Sequence, residues 1–405
     1  MLIAALILSQ APNVASGAWR SYEEVFDLAR AGDTVYAATN GGLLRREGEQ
    51  WKPVESPSAL RAITSTSPLT VALADTRSFA LVNGCWKPDG ATGLSPKSVE
   101  LAGLSTHVYC YLDAFAGTSD GLYEKVEGSW SRVSLPSDLP VQRPNGLAQI
   151  GKRFLVGGLG GLYMGTPGHW DQVSKEPVRQ LFSVGQEAWV VYGSGAVDKL
   201  APDEDKLFPD VWYGSAQRPW SACIGSVDDT LLFGGNGGWI ERGKEVSEVY
   251  PPELDSDVVV AIAGRGSTRW VATQASGLFR YGAGKVRRWN PGNGLTDPWV
   301  TALCLDPPRG LMVGTATEGL FALNGDEVRS LDCPTKRITR LCLWSGRLVV
   351  GAMDGAWVRH GSDWEKLPTD GEETTALTAL EDGSLAVSTA SGIHFVSKAS
   401  VPSTR

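Results

Sequence analysis

Five arginines and two tryptophans stand where an ion or a ring could be held. Arg61, Arg143, Arg179, Arg218 and Arg337 each lead into an extended segment, at Ala62, Pro144, Gln180, Pro219 and Ile338. Trp220 and Trp299 hold related positions, and Asp257 occupies a comparable slot. Guanidinium groups offer paired N–H donors to carboxylate, sulfate or phosphate, and an indole face stacks on a flat ring. The partner such a rim would take is an anionic small molecule, a glycan, or an acidic group of another protein. The bland alternative is that the arginines satisfy loop carbonyls or pair with acids such as Asp210 and Asp297.

Other chemistries find less support. The chain has 405 residues with 37 Lys and Arg against 45 Asp and Glu, a formal charge of -8. Nucleic-acid binders need a basic footprint, so no nucleic-acid partner is expected. The four histidines, His107, His169, His360 and His394, share no ligand spacing, and HExxH, CxxC and GxxxxGK[ST] are missing. Neither a metal nor another cofactor is expected. Carboxylates such as Asp113, Asp120, Asp297 and Asp354 could serve acid–base work, yet sequence places no pair of them at a glycosidase separation. Asp120 and Asp354 precede Gly121 and Gly355 in ordinary Asp-Gly turns. No GxSxG elbow stands at a strand-to-helix turn. The reading is a non-catalytic binding or protein-interaction module, with a carbohydrate-active lyase or hydrolase as the alternative.

What would position the arginines is a repeat. With 48 Gly and 15 Trp the composition is unusual, and one phrase accounts for much of it: apolar, any, apolar, small, often Thr, a short loop, Gly, apolar, aromatic. It appears as VYAATNGGLL from Val35, FAGTSDGLY from Phe115, FLVGGLGGLY from Phe154, WVVYGSGAV from Trp189 and LLFGGNGGWI from Leu231. Further copies are WVATQASGLF from Trp270, LMVGTATEGLF from Leu311, LVVGAMDGAW from Leu348 and LAVSTASGIHF from Leu385, with a degenerate one from Val71. From Gly42 to Gly392 there are 350 residues in nine steps, about 39 per step, the spacing of propeller blades. Each repeat reads as four strands: an alternating inner strand, the apolar strand ending in a small residue, a Gly-Leu-aromatic strand, and a short outer strand marked by Trp51, Trp86, Trp130, Trp170, Trp289 or Trp364. Recurrence of these tryptophans at one slot assigns them to packing rather than to sugar binding.

The expected fold is therefore all-β: a single propeller of about ten four-stranded blades, with two smaller rings as the other arrangement. Repeats fall near 25–57, 58–99, 100–140, 141–177, 178–214, 215–255, 256–296, 297–335, 336–370 and 371–397, followed by a tail over 398–405. The last repeat has no Trp strand of its own, while Trp19 to Glu24 form such a segment without a repeat to own it. Residues 19–24 are expected to close the ring, which removes exposed edges. The seven site candidates would then gather at one mouth of the central channel.

Leu2 to Leu8 is an apolar run followed by Pro12 and by small residues at Ala15, Ser16, Gly17 and Ala18. It is too short to span a bilayer and reads as a signal peptide over 1–18, cleaved after Ala15 or Ala18. A periplasmic or secreted bacterial protein is implied, with no transmembrane segment. The six scattered cysteines, Cys85, Cys110, Cys223, Cys304, Cys333 and Cys342, permit disulfides, but several sit in apolar strands and read as buried free thiols.

The run Asn293-Gly-Leu-Thr-Asp-Pro-Trp-Val-Thr-Ala-Leu-Cys, continuing to Leu311-Met-Val-Gly-Thr and Gly319-Leu-Phe, resembles the two-component regulator propeller repeat. Trp270-Val-Ala-Thr with Gly277-Leu-Phe-Arg-Tyr matches equally well. The resemblance covers the chain after residue 19, most closely in repeats seven to nine. It implies a ligand-binding propeller of the kind that serves as the periplasmic sensor of hybrid histidine kinases, commonly with fourteen repeats in two rings. Ten repeats without a kinase or membrane helix imply a free-standing exported binding protein.

Overall fold

The computed structural model describes residues 18–398 except 65–67, 74–76, 84, 90–100, 102–103, 152, 185–186, 201–207, 210–220, 229 and 370. The leader read over residues 1–18 lies, apart from Ala18, outside them. The described residues form ten four-stranded antiparallel sheets, and in nine of them the strands follow chain order. These nine blades span residues 25–54, 60–89, 108–133, 146–174, 178–209, 221–249, 259–289, 300–331 and 338–366. Blade 10 combines residues 374–396 with the strand Ala18–Arg20, in which Trp19 faces Ile393. Among the described residues the only helical element is the single 3-10 turn Pro252–Leu254.

Local chemistry explains the repeating phrase. Thr39, Thr118, Thr273, Thr315 and Thr389 end their second strands buried, and each Oγ1 donates to the carbonyl of the following turn glycine, at 2.6 Å for Gly42 and 3.3 Å for Gly392. The glycine reverses the chain at positive φ, +124° at Gly42 and +155° at Gly392, where a side chain would be strained. At the Gly237-Gly238 doublet the positive φ falls on Gly237 rather than on the expected Gly238. All six marker tryptophans lie in fourth strands. Three of them, Trp86, Trp170 and Trp364, donate their indole N–H to carbonyls of Glu55, Asp138 and Asp332 at 2.7 to 2.8 Å, bracing one blade on the linker before it. They are scaffold.

The next-to-last residue of the second strand, a small one, sits where blades crowd. A methyl at Gly314 would lie 2.5 Å from Ile338 Cγ2, and one at Gly157 2.5 Å from Val178 Cγ1, in each case the first inner-strand residue of the next blade. Gly314→Ala is expected to destabilise the chain by about 2 kcal/mol through overpacking, and a denaturant midpoint at unchanged slope measures it. Cys85 is exposed, whereas Cys110 and Cys223 are buried, and Cys304, Cys333 and Cys342 are partly so. Burial pushes the Cys223 and Cys304 thiols up to about 12 and Cys333 up to about 11. An aromatic disulfide reagent at pH 8 is therefore expected to modify Cys85 rapidly and the other five slowly, read from absorbance in the native state.

The apolar core is divided among the interfaces between blades, and these interfaces give the arrangement. One cluster joins blades 4 and 5 (Leu155, Val178, Val190), and others join 5 to 6, 6 to 7, 7 to 8, 8 to 9 and 9 to 10. The circuit returns through Leu147, Phe154 and Val156 of blade 4 against Leu380, Ala386, Ile393 and Phe395 of blade 10. Thr375 and Thr378 add hydrogen bonds across this seam to the carbonyls of Pro144 and Leu147. Seven blades thus form a ring. Blade 1 packs on blade 2 through Ala38, Leu43, Leu60 and Val71, and on blade 3 through Val25, Leu44, Cys110 and Phe115. Where the sequence reading expected one ten-bladed ring, with two smaller rings as the other arrangement, the described interfaces link blades 4 to 10 in one circuit and blades 1 to 3 in the order 2-1-3. The physical reason is interface complementarity: Val25 and Trp51 fit Phe115, and Leu147 and Phe154 fit Phe395.

Candidate functional site

In nine of the ten blades the pairing of the first two strands slips after the first inner-strand residue. Such a bulge leaves one residue outside the ladder and re-aims its side chain. The bulged residues are Phe26, Arg61, Tyr109, Arg179, Ala222, Val260, Thr301, Thr339 and Thr375. In blades 8 and 9 the threonines are ties, Thr301 Oγ1 donating to Ile338 O at 2.7 Å and Thr339 Oγ1 to Thr374 O at 2.6 Å. In blades 1 to 3 the same slot carries two aromatic side chains and an arginine.

These three meet in one stack. The Arg61 guanidinium lies 3.8 Å from the centroid of Phe26, whose ring is 4.9 Å from that of Tyr109, and His107 stands edge-on to Tyr109 at 4.8 Å. Tyr109 Oη donates to Glu24 Oε1 at 3.1 Å, and Arg143 Nε is 3.9 Å from Glu24 Oε2. Glu24 is held by its backbone, its N–H donating to Asn40 Oδ1 and its carbonyl accepting from Asn40 N–H. Arg61 makes one hydrogen bond, to Leu60 O at 3.2 Å, and among the described residues no carboxylate lies within ion-pair distance of it. Burial lowers its pKa, opposed by Glu24 and reinforced by Arg143. A half-buried guanidinium stacked on an aromatic face with free N–H groups is a binding group for a planar anion.

Of the seven candidates, the structure brings Arg61 and Arg143 together around Glu24. Arg179 also occupies a bulge, in blade 5 of the ring. Trp299 and Arg337 precede the inner strands of blades 8 and 9, both exposed, Trp299 at 57%. Arg218 and Trp220 lie outside the described residues. Phe26, Tyr109, His107 and Glu24 escaped sequence reasoning. The available signal was the bulge slot itself, where blades 1 to 3 carry Phe, Arg and Tyr and blades 8 to 10 carry Thr. Three of the four acids considered for catalysis have structural work: Asp113 pairs with Arg30, Asp120 accepts from Thr118 and Tyr123, and Asp297 accepts from Trp299 N–H and from Thr317.

No family model matches the chain. No curated protein matches it either. Among solved structures it is similar to the extracellular domain of the hybrid two component system BT3049 from B. thetaiotaomicron, with a TM-score of 0.53 and 14% identity over 92% of this chain. The chain spans 56% of the length of that domain. It is also similar to the WD40 beta propeller domain of Doa1, with a TM-score of 0.51 and 9% identity over 64% of this chain and 93% of that one. The fold is a β-propeller. At these identities the likeness extends to the fold alone.

Proposed function

We propose that this chain is an exported, non-catalytic β-propeller that binds an anionic small molecule or glycan where the three-blade set meets the ring. The observation that carries the reading is Arg61, stacked on Phe26 and without an ion pair among the described residues, beside Arg143, Tyr109 and His107. A ligand carboxylate would take the free guanidinium fork, while the Tyr109 and His107 edges meet a ring. Glu24 orients Tyr109 and sets a limit on charge, favouring one carboxylate over a polyanion. Export is supported by the apolar run from Leu2 to Leu8 and the small residues to Ala18, and the sensor role by the repeat resemblance. The lyase or hydrolase alternative gains nothing from Asp113, Asp120 and Asp297, which are committed to turns and ion pairs.

A thermal-shift screen of carboxylated sugars and small organic acids on the mature chain tests the reading, since a ligand bound only by the folded state raises the melting temperature. At 100 times its Kd a ligand adds about 2.7 kcal/mol. The expected result is a rise with a carboxylate ligand that its neutral amide or alcohol does not give and that Arg61→Ala abolishes. A rise that survives Arg61→Ala would remove this site from the account.

A further inference from the structure

The geometry points to a second anion site, on the opposite face of the ring, in which Arg309, Arg347 and Arg359 hold a tetrahedral oxyanion, phosphate or sulfate, either free or as a monoester. A cavity of about 330 Å3 lies between blades 8 and 9, lined by Arg309, by Ser345 to Leu348, and by Arg359, His360 and Gly361. Arg309 comes from the turn after the inner strand Val300–Asp306, Arg347 from the start of the second strand Arg347–Ala352 that follows Ile338–Trp344, and Arg359 from the end of the third strand Gly355–His360. Antiparallel pairing puts these positions at the end of each blade away from the bulges. The cavity therefore shares no residue with the Arg61 site.

The charges do not balance. Arg309 Nη1 is paired with Asp306 Oδ2 at 2.7 Å, and His360 Nε2 lies 3.1 Å from Glu365 Oε2. Among the described residues Arg347 and Arg359 form no ion pair; Arg359 donates only its Nε, to Gly361 O at 2.9 Å, and its guanidinium lies 5.8 Å from the centroid of the Trp364 ring. Burial lowers the pKa of Arg359, and Arg309 and Arg329 lower it further, so several cations act on one another there. Like charges gathered around a concave surface repel unless an anion joins them, and this occurs in a chain whose formal charge is -8. Guanidinium forks fit the paired oxygens of phosphate and sulfate. The volume is at the small end for ligand sites, enough for the oxyanion and a few further atoms.

Isothermal titration at constant ionic strength tests the site, with sodium phosphate, sodium sulfate, glucose 6-phosphate and glucose 6-sulfate as ligands and sodium chloride as the control. Saturable binding of at least one, weakened tenfold or more by Arg347→Ala with Arg359→Ala and unchanged by Arg61→Ala, is expected. Tighter binding of the esters than of the free ions assigns a monoester as the ligand, and the reverse assigns the free ion. Without ligand the double variant should melt no lower than the parent, because it removes mutual repulsion. If it does not fold, Arg347→Ala alone carries the test, with at least a threefold loss expected. Heats indistinguishable from chloride, or binding that Arg347→Ala leaves intact, would overturn the proposal.

Discussion

Replacing Trp19 by Ala is expected to lower the melting temperature of the chain by roughly 5 °C, the largest effect of any single truncation in the first blade-closing strand. Trp19 lies in the three-residue strand Ala18–Arg20, paired with the last strand of blade 10, so its backbone contributes few hydrogen bonds. Its ring contributes far more. It makes edge contacts with Phe395 at 4.6 Å, Phe154 at 5.1 Å and Trp170 at 6.0 Å, and so touches blades 10 and 4 at the seam of the seven-blade ring. Truncating a buried Trp costs about 3–5 kcal/mol, and Trp19 is half-buried, so the low end applies. A loss of about 3 kcal/mol in a unit of this size shifts melting by the stated amount. Scanning calorimetry reads it. Trp19→Phe should recover more than half the loss, and an unchanged transition for Trp19→Ala would show that the strand does not close the ring.

The second large effect is expected at Glu372, whose buried carboxylate ties the three-blade set to the ring. Ser58 Oγ, ahead of blade 2, donates to Glu372 Oε1 at 2.6 Å, and the Ser391 N–H of blade 10 donates to Oε2 at 2.9 Å. Hydrogen bonds to a charged group contribute about 1.5–3 kcal/mol each, and truncation removes the acceptor of both. Glu372→Ala should therefore cost about 3 kcal/mol and split the calorimetric transition in two as the three-blade set melts ahead of the ring. Glu372→Gln, which keeps one acceptor, should cost about half as much. A single transition at the parent temperature for Glu372→Ala would mean that the two parts are held together elsewhere.

The blade itself was legible because its constraints are local. Thr315 before Gly319, Gly314 against Ile338 and Trp364 on the outer strand each follow from what four short strands require, and each recurs every 39 residues or so. The order of the blades was not legible, because it depends on which face fits which. Nothing in the phrase around Phe115 says that it meets Trp51 of blade 1, at 5.6 Å, rather than a residue of the next blade in the chain. The candidate site shows the same division. Arg61 and Arg143 were found as lead-in arginines, but their meeting at Glu24 depends on the placement of blades 1 to 3 against the linker before blade 4. Phe26, only 4% exposed, is buried like any core aromatic, yet its face supports the guanidinium. A bulge cannot be read from hydrophobic alternation, since one extra residue merely blurs the period of two.

The central claim is that the ligand is held at the junction of the three-blade set and the ring, and not all around the ring mouth. The most direct measurement is isothermal titration of the carboxylate ligand found by thermal shift into the parent chain, Arg61→Ala and Arg337→Ala. Arg337 is exposed at the ring mouth, ahead of blade 9, and serves as the matched control. The account predicts at least a tenfold loss of affinity for Arg61→Ala and parent affinity for Arg337→Ala. Parent affinity for Arg61→Ala with a loss for Arg337→Ala would contradict it and move the site to the channel of the seven-blade ring.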